Sequence, residues 1–212
     1  MVRKIVERVP DEVLQQDLEK YRQRALELGA TDAKIITTDM VVIDERVRAK
    51  CIYPKCEWYG TSVNCPPYTI DVEQTRKIVN NFHYAIFFRL KVPTEMVAGK
   101  RTPEQLKENR RFRNTRAEIE AKVEAEAFYD GYYLAVAFGG GPCKLAYCLN
   151  EDCQALKPGQ SCKFPQRARA AMEGVGMDVY LMATKVGWDI YPIGVSPSDA
   201  PCGTMAGIIF IY

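Results

Sequence analysis

The sequence predicts a single α/β domain of the mixed α+β kind, with a central mixed sheet, flanking helices and two cysteine-rich loops. The chain has 212 residues, of which 47% are hydrophobic, and this is enough for one packed core. Helical and strand-like apolar patterns alternate along it. No repeat or low-complexity tract divides it, so we assign residues 1–212 to one domain, with cysteine loops at 51–67 and 143–165.

The first half of the chain predicts two helices and two strands. Apolar residues on one face of segment 10–28, followed by Gly29, indicate an amphipathic helix with a glycine cap. The β-branched segment AKIITTDMVVID, residues 33–44, favours a strand, and HYAIFFRLKV, residues 83–92, favours a buried strand. We expect a helix from about residue 71 to 82 between the first cysteine loop and that buried strand.

A helix start signal opens the second half. Thr102 is placed as N-cap, Pro103 at the first helical position and Gln105 at the capping-box position, and the helix runs to about residue 128.

Shorter elements follow this helix. YYLAVAF, residues 132–138, favours a strand that ends at the glycine run 139–141. FPQRARAAMEGVG, residues 164–176, indicates a short helix, and DVYLMAT, residues 178–184, indicates a strand or core segment. GIIFIY closes the chain as a final strand buried in the sheet, and we expect it to pair near residues 33–44.

Charge and composition exclude several functions. The chain carries 29 Lys and Arg against 27 Asp and Glu, so its net charge of +2 argues against general binding to nucleic acid or an anionic membrane. The charged N-terminus lacks a signal-peptide core, and no apolar run reaches membrane-spanning length. We therefore expect a cytoplasmic protein. Eight cysteines in a reducing compartment favour metal binding over disulfides.

The spacing C-x4-C-x8-C occurs twice, which predicts two metal sites. The second group adds one cysteine upstream and so supplies four thiols within twenty residues. The first group supplies three thiols, and by elimination Cys202 completes it. The first-site ligands are therefore Cys51, Cys56, Cys65 and Cys202, and the second-site ligands are Cys143, Cys148, Cys153 and Cys162.

Thiolate sites select iron–sulfur clusters, zinc or Cu(I). Zinc sites usually pair their ligands as short knuckles, which the eight-residue gaps do not match. We therefore predict two [4Fe–4S] clusters, with structural zinc as the alternative. A first site with only three thiols and one open iron stays an alternative to ligation by Cys202.

Other residues near the loops are candidates for binding the cofactor. Gly140 and Gly141 are predicted to present backbone N–H groups to a cluster, although a tight strand exit explains them as well. Arg167 and Arg169 follow the last cysteine, where they would neutralise a reduced cluster or hold an anionic substrate, or else lie on a solvated helix face. Glu173 is placed to pair with Arg169. The basic run KENRRFRNTR, residues 107–116, favours docking of an acidic redox partner over nucleic acid.

The segments CIYPKCEWYGTSVNCPPY and CKFPQRARAAMEGVGMDVY resemble a family of uncharacterised predicted metal-binding proteins of anaerobic bacteria and archaea. The likeness covers nearly the whole chain and implies iron–sulfur binding in the cytosol of an anaerobe, with no implied reaction. The positions that match the family signatures are Cys51, Cys56, Cys65, Cys143, Cys148, Cys153, Cys162, Pro165, Ala168, Arg169, Met172, Glu173 and Gly176.

Three functions remain open from the sequence. The first is an electron-transfer protein that serves a redox partner protein. The second is a redox enzyme or enzyme subunit, in which one cluster feeds a substrate, a flavin or a corrinoid. The third is a sensor or scaffold whose metal is structural.

Overall fold

The structure is a computed structural model that describes residues 2–194, 196 and 200–212. It confirms the α/β class. A four-stranded sheet carries helices on both faces. The strands are β1 (Asp32–Thr37), β2 (Tyr84–Val92), β3 (Val136–Phe138) and β4 (Gly203–Phe210). The helices are α1 (Asp11–Glu27), α2 (Glu45–Ile52), α3 (Val72–Val79), α4 (Pro103–Tyr129), α5 (Lys144–Tyr147) and α6 (Val179–Lys185).

The strand order is β1-β2-β4-β3, and every neighbouring pair is antiparallel, where the sequence analysis expected a mixed sheet. The last strand lies inside the sheet, as predicted: Ile86 of β2 and Ala137 of β3 both pair with Ile209 of β4. The expectation that this strand would pair near residues 33–44 is wrong. β1 pairs with β2 alone, because β2 and β3 already occupy the two edges of β4.

Two hydrophobic cores cover the two faces of the sheet. On one face, α1 and α4 pack through residues such as Leu18 and Ile119 against Ile86 of β2. On the other face, Phe87 packs with Met172 and the α6 residue Met182. Burial on both faces accounts for the near-continuous apolar sequence of β2.

Helix α4 begins as the sequence predicts. The Thr102 hydroxyl accepts the backbone N–H of Gln105 at 3.3 Å, and the Gln105 side chain accepts the N–H of Thr102 at 2.9 Å. This reciprocal cap is complete, with Pro103 in the first turn. Among the described residues, no helix is both long and apolar enough to cross a membrane.

Several shorter predictions are wrong in extent or type. The first strand ends at Thr37, and β3 keeps only the last three residues of segment 132–138. Segment 164–176 is not a helix. Gly139 donates its N–H to Ala170 O at 2.8 Å and accepts the Met172 N–H at 2.7 Å, and this pairing along β3 overrides local helix propensity.

Segment 178–184 forms most of helix α6 rather than a strand. Asp178 caps this helix by accepting the N–H of Leu181 at 3.0 Å. A short apolar run does not distinguish a buried strand from a buried helix, and here the cap and the packing of Met182 and Ala183 select the helix.

One short turn connects the two cysteine loops. The 3₁₀ helix Glu173–Val175 follows the segment that pairs with Gly139, at the exit of β3. The same turn packs against the first loop, since a Cβ on Gly174 would lie 3.4 Å from Pro66 Cδ. Arg48 Nη1 of α2, just before that loop, also donates to Gly174 O at 3.1 Å. The two loops are therefore held together at one place, beside the end of β3.

Candidate metal centres

The second cysteine group surrounds one cavity. Cys143 and Cys148 flank the short helix α5, and Cys153 immediately precedes a 3₁₀ turn. The Sγ of Cys162 accepts the N–H of Phe164 at 3.3 Å. The cavity has a volume of about 20 Å³, and all four thiols of the group line it: Cys143, Cys148, Cys153 and Cys162.

Aromatic and basic side chains form the remaining walls of this cavity. The rings of Tyr147 and Phe164 stack with centroids 5.1 Å apart and planes inclined by 25°. Lys144 and Lys163 also line it. The cavity thus combines four soft sulfur donors with an apolar cover and nearby positive charge, a set that suits an anionic metal–thiolate centre.

The first cysteine group is formed by the end of α2 and the loop behind it. Cys51 lies in the last turn of α2, and Cys56 donates its N–H to Cys51 O at 3.1 Å. Cys65 is buried, and its N–H donates to Ser62 O at 3.2 Å. These backbone bonds fold the loop back on itself at two places.

Burial and neighbouring groups raise the pKa values of thiols in both groups. Burial raises the pKa of Cys51, and the neighbouring Cys56 and Glu173 raise it further. Burial likewise raises the pKa of Cys148, and the other three thiols of its group add to the effect. These thiols are neutral at pH 7 without a metal, so a metal that binds them releases protons.

The two groups are neighbours. Asn64 of the first loop donates from Nδ2 to the Sγ of Cys143 in the second loop at 3.5 Å. The hydroxyl of Ser62, a fully buried residue, lies 3.8 Å from the same sulfur. A hydrogen bond from Ser62 also lowers the pKa of Cys65, whereas burial, the larger effect, and the Cys143 thiol raise it. The Ser62 hydroxyl therefore interacts with one thiol of each group, Cys65 in the first and Cys143 in the second.

Cys202 is half-buried and directly precedes β4. Its neighbour Gly203 packs against Val97, since a Cβ on that glycine would lie 2.7 Å from the valine side chain. Cys202 forms no disulfide with another cysteine of the described residues. Its assignment as the fourth ligand of the first site stays a prediction.

The glycine run between β3 and the second loop has a packing cause. A Cβ on Gly139 would lie 2.1 Å from Arg116 Nη1, so only glycine lets this side chain of helix α4 approach. A Cβ on Gly140 would lie 3.0 Å from Ala206 O of β4. Gly141 has a φ of 67°, which favours glycine. Cofactor contact by Gly140 and Gly141 stays a prediction.

The two arginines after the last cysteine differ. Arg167 is exposed. Arg169 binds the carboxylate of Glu124 through Nε at 2.8 Å and through Nη2, rather than pairing with Glu173. Glu124 in turn accepts the N–H of Ala137 at 2.6 Å, so Arg169 helps to anchor β3 to α4.

Sequence reasoning does not single out Ser62, Asn64 or the inward-facing Arg113. Ser62 and Asn64 are ordinary loop residues in the sequence, and nothing in their local pattern shows that they face the other loop. Arg113 belongs to a basic run that the sequence places around a docking helix. The helical period alone would have put it on the same face as the buried Arg116 and Glu120.

No group of three or more cysteine, histidine, aspartate or glutamate side chains is arranged to hold a metal ion among residues 2–194, 196 and 200–212. Residues 34–210 match the model of the family described as "Predicted metal-binding protein (DUF2284)". The chain belongs to this family. No curated protein and no solved structure matches the chain significantly. Family membership therefore supports metal binding, and the family description names neither a metal nor a reaction.

Proposed function

We propose that this family member is an iron–sulfur protein that binds two [4Fe–4S] clusters and transfers electrons to a partner protein. The observation that carries the proposal is the contact between the two cysteine groups through Ser62 and Asn64. A [4Fe–4S] cluster supplies one-electron chemistry when protein thiolates hold it. Two such sites side by side would form a short path along which an electron moves within the chain.

In this proposal the cysteines would divide between the sites as their spacing predicts. Cys143, Cys148, Cys153 and Cys162 already share one cavity and would hold the second cluster. Cys51, Cys56 and Cys65 would hold the first, with Cys202 as the proposed fourth ligand. Ser62 and Asn64 would donate hydrogen bonds to ligand sulfurs, which tunes the potential of a cluster. A cytoplasmic location fits this proposal, because the thiols must stay reduced.

The partner would dock beside the second group, whose four cysteines are all partly exposed. Lys144 and Lys163 line that cavity, and Lys163 pairs with Glu151, so an acidic partner surface would be complementary chiefly to Lys144. The basic run on α4 contributes less than the sequence suggests. Lys107, Arg110 and Arg111 are exposed, whereas Arg113 is half-buried and Arg116 is buried.

Metal and sulfide analysis of anaerobically purified protein tests the proposal. We expect about eight irons and eight sulfides per chain, with absorbance near about 400 nm that bleaches reversibly on reduction. Stoichiometric zinc without sulfide would overturn it and leave the structural-zinc alternative. If the protein holds the clusters and bleaches on reduction, but a candidate acceptor protein does not reoxidise it, the iron–sulfur proposal stands and the electron-transfer proposal is wrong.

A redox enzyme or enzyme subunit is the second candidate. The observation that favours it is Arg113, whose guanidinium lies beside Gly141 with no ion-pair partner among the described residues. Turnover of a candidate substrate by the loaded protein would favour this function over electron transfer alone.

A further inference from the structure

Helix α4 turns two arginines toward the glycine run. The Arg116 side chain is 4% exposed and its Nη1 donates to Glu120, whose side chain is 2% exposed. The Nε of Arg116 is buried and has no hydrogen-bond partner among the described residues. Because the Glu120 side chain is taken up by its contact with Arg116, a further positive group nearby has no share in that carboxyl group.

Arg113 is that further group, one helical turn before Arg116. Its Nε donates to Asn109 Oδ1 at 2.8 Å, and its Nη1 would lie 3.2 Å from a Cβ on Gly141. Burial lowers the pKa of Arg113 to about 10, and Arg116 and Arg101 contribute to the decrease. The guanidinium is still protonated at neutral pH, and it forms no ion pair with any carboxylate in the described ranges.

The other charged groups around Arg113 leave an excess of positive charge. Arg101 donates to the backbone carbonyls of Glu95 at 2.8 Å and Met96 at 2.9 Å, and has no carboxylate partner in the described part of the chain. Glu173 is the carboxylate that acts on Arg113 without contacting it. Its Oε2 accepts only a long N–H bond from Gly141, at 3.5 Å.

This arrangement lies next to the first cysteine group. Glu173 directly precedes Gly174, on which a Cβ would lie 3.4 Å from Pro66 Cδ, and Pro66 directly follows Cys65. Arg113, Gly141 and Glu173 are each partly exposed, so a small molecule can reach them from solvent. A ligand held by Arg113 would therefore lie on the same side of the molecule as the proposed first centre.

The geometry points to an anion site in which Arg113 binds the carboxylate or phosphate group of a small molecule beside the first cysteine group. Guanidinium groups bind such oxyanions in a bidentate manner, and partial burial strengthens the contact. Arg101 and Arg116 add positive potential, and Glu173 opposes it. The binding itself does not depend on which metal the cysteines hold.

Calorimetric titration of the anaerobically purified protein tests this site. The probes are inorganic phosphate and succinate, each at constant ionic strength set with chloride. We expect saturable binding of at least one probe and a loss of affinity of about tenfold or more in Arg113→Gln, because the paired hydrogen bonds disappear. Arg113→Lys keeps the charge but loses the paired N–H donors of the guanidinium, so it should bind with intermediate affinity. This variant provides the test if Arg113→Gln does not fold.

Matched variants separate this site from general surface charge. Arg110→Gln removes an exposed arginine from the same helix and should leave binding unchanged. Glu173→Gln removes the opposing charge while keeping an acceptor for the Gly141 N–H, and should raise the affinity. Binding of neither probe, or equal losses in Arg113→Gln and Arg110→Gln, would overturn the anion site.

Metal content distinguishes failure of this inference from failure of the proposed function. Iron and sulfide are counted in the same samples. Specific anion binding in a protein that holds zinc would leave the anion site standing and remove the iron–sulfur proposal. If Arg113→Gln loses iron while the wild type binds neither probe, the arginine serves to balance the charge of the metal centre, and the anion site is wrong.

Discussion

Ser62 shows how much one side chain can contribute at the contact between the loops. With Cys143 protonated, its thiol donates to the Ser62 hydroxyl at 3.8 Å. Once Cys143 is a thiolate, the hydroxyl becomes the donor, because a thiolate can only accept. Ser62 is fully buried, so no water replaces this donor when it is removed.

We predict that Ser62→Ala lowers the reduction potential of the centres by an amount on the order of tens of millivolts, because a donor to ligand sulfur favours the more negative, reduced state. A spectroscopic redox titration measures the shift. Ser161→Ala makes the same substitution at an exposed residue of the second loop and should leave the potentials unchanged. Equal potentials in Ser62→Ala and wild type would show that the hydroxyl does not contact ligand sulfur.

Glu120 gives the chain a pH-dependent stability. Burial raises its pKa to about 7, and Glu124 adds to the increase, while Arg116 and Arg169 oppose the shift. Since the ordinary value is 4.5, the folded chain retains a proton that the unfolded chain has released between pH 4.5 and about 7. The contribution of Glu120 to stability is therefore largest below that window and declines as the pH rises through it.

We predict that the free energy of unfolding of the wild type falls relative to Glu120→Gln between about pH 5 and about pH 7, because glutamine does not titrate. Urea denaturation across this range measures the difference. Glu108→Gln, an exposed position on the same helix, should track the wild type. Parallel profiles for wild type and Glu120→Gln would contradict the raised pKa.

At the scale of elements, the structure separates what local sequence determines from what distant contacts determine. The cap of α4 is predictable because Thr102 and Gln105 bond to each other within one turn. The type of α6 is not, since its apolar run fits a buried strand equally well. The sequence indicates a strand exit at Gly139, whereas the cause of that glycine is the side chain of Arg116, which comes from a different element.

The grouping of the second four cysteines is predictable for the same reason as the N-terminal cap of α4: the residues involved are close together in the sequence. Four thiols within twenty residues can reach one cavity through local turns alone, and Cys143 to Cys162 do so. A fourth thiol for the first group would come from a distant part of the chain, and local spacing carries no information about it. The contact between the loops is also unpredictable, because it depends on the turn at Glu173–Val175 that joins them.

We predict that Cys148→Ala removes one centre and lowers the midpoint of thermal unfolding, because metal binding and folding of the second loop are coupled. Metal counting and calorimetry measure both effects. Gln160→Ala, at an exposed position of the same loop, should change neither. A Cys148→Ala protein with full metal content and unchanged melting would show that this thiol is not a ligand.

At the scale of the whole molecule, the first centre would tie the end of the chain to its beginning. Cys202 directly precedes β4, which lies inside the sheet, and the first cysteine loop follows β1 at the sheet edge. Ligation by Cys202 would close a loop of roughly 140 residues and add stability that a local site does not provide.

We predict that Cys202→Ala loses the first centre or degrades it to a three-iron form, and keeps the second. Iron counting combined with electron paramagnetic resonance distinguishes these products. Two intact centres with unchanged spectra would show that Cys202 is a bystander. The first centre would then have an open iron, and this outcome would favour the enzyme over the electron-transfer protein.

The central claim is that the two cysteine groups hold two redox centres in close contact. Electron paramagnetic resonance of the fully reduced wild type tests it most directly, since two paramagnetic centres that lie side by side split or broaden each other's signals. We predict a spectrum of two interacting spins, which simplifies to that of one isolated centre in Cys148→Ala. A wild-type spectrum that is the plain sum of independent centres, or that shows no signal after reduction, would contradict the account.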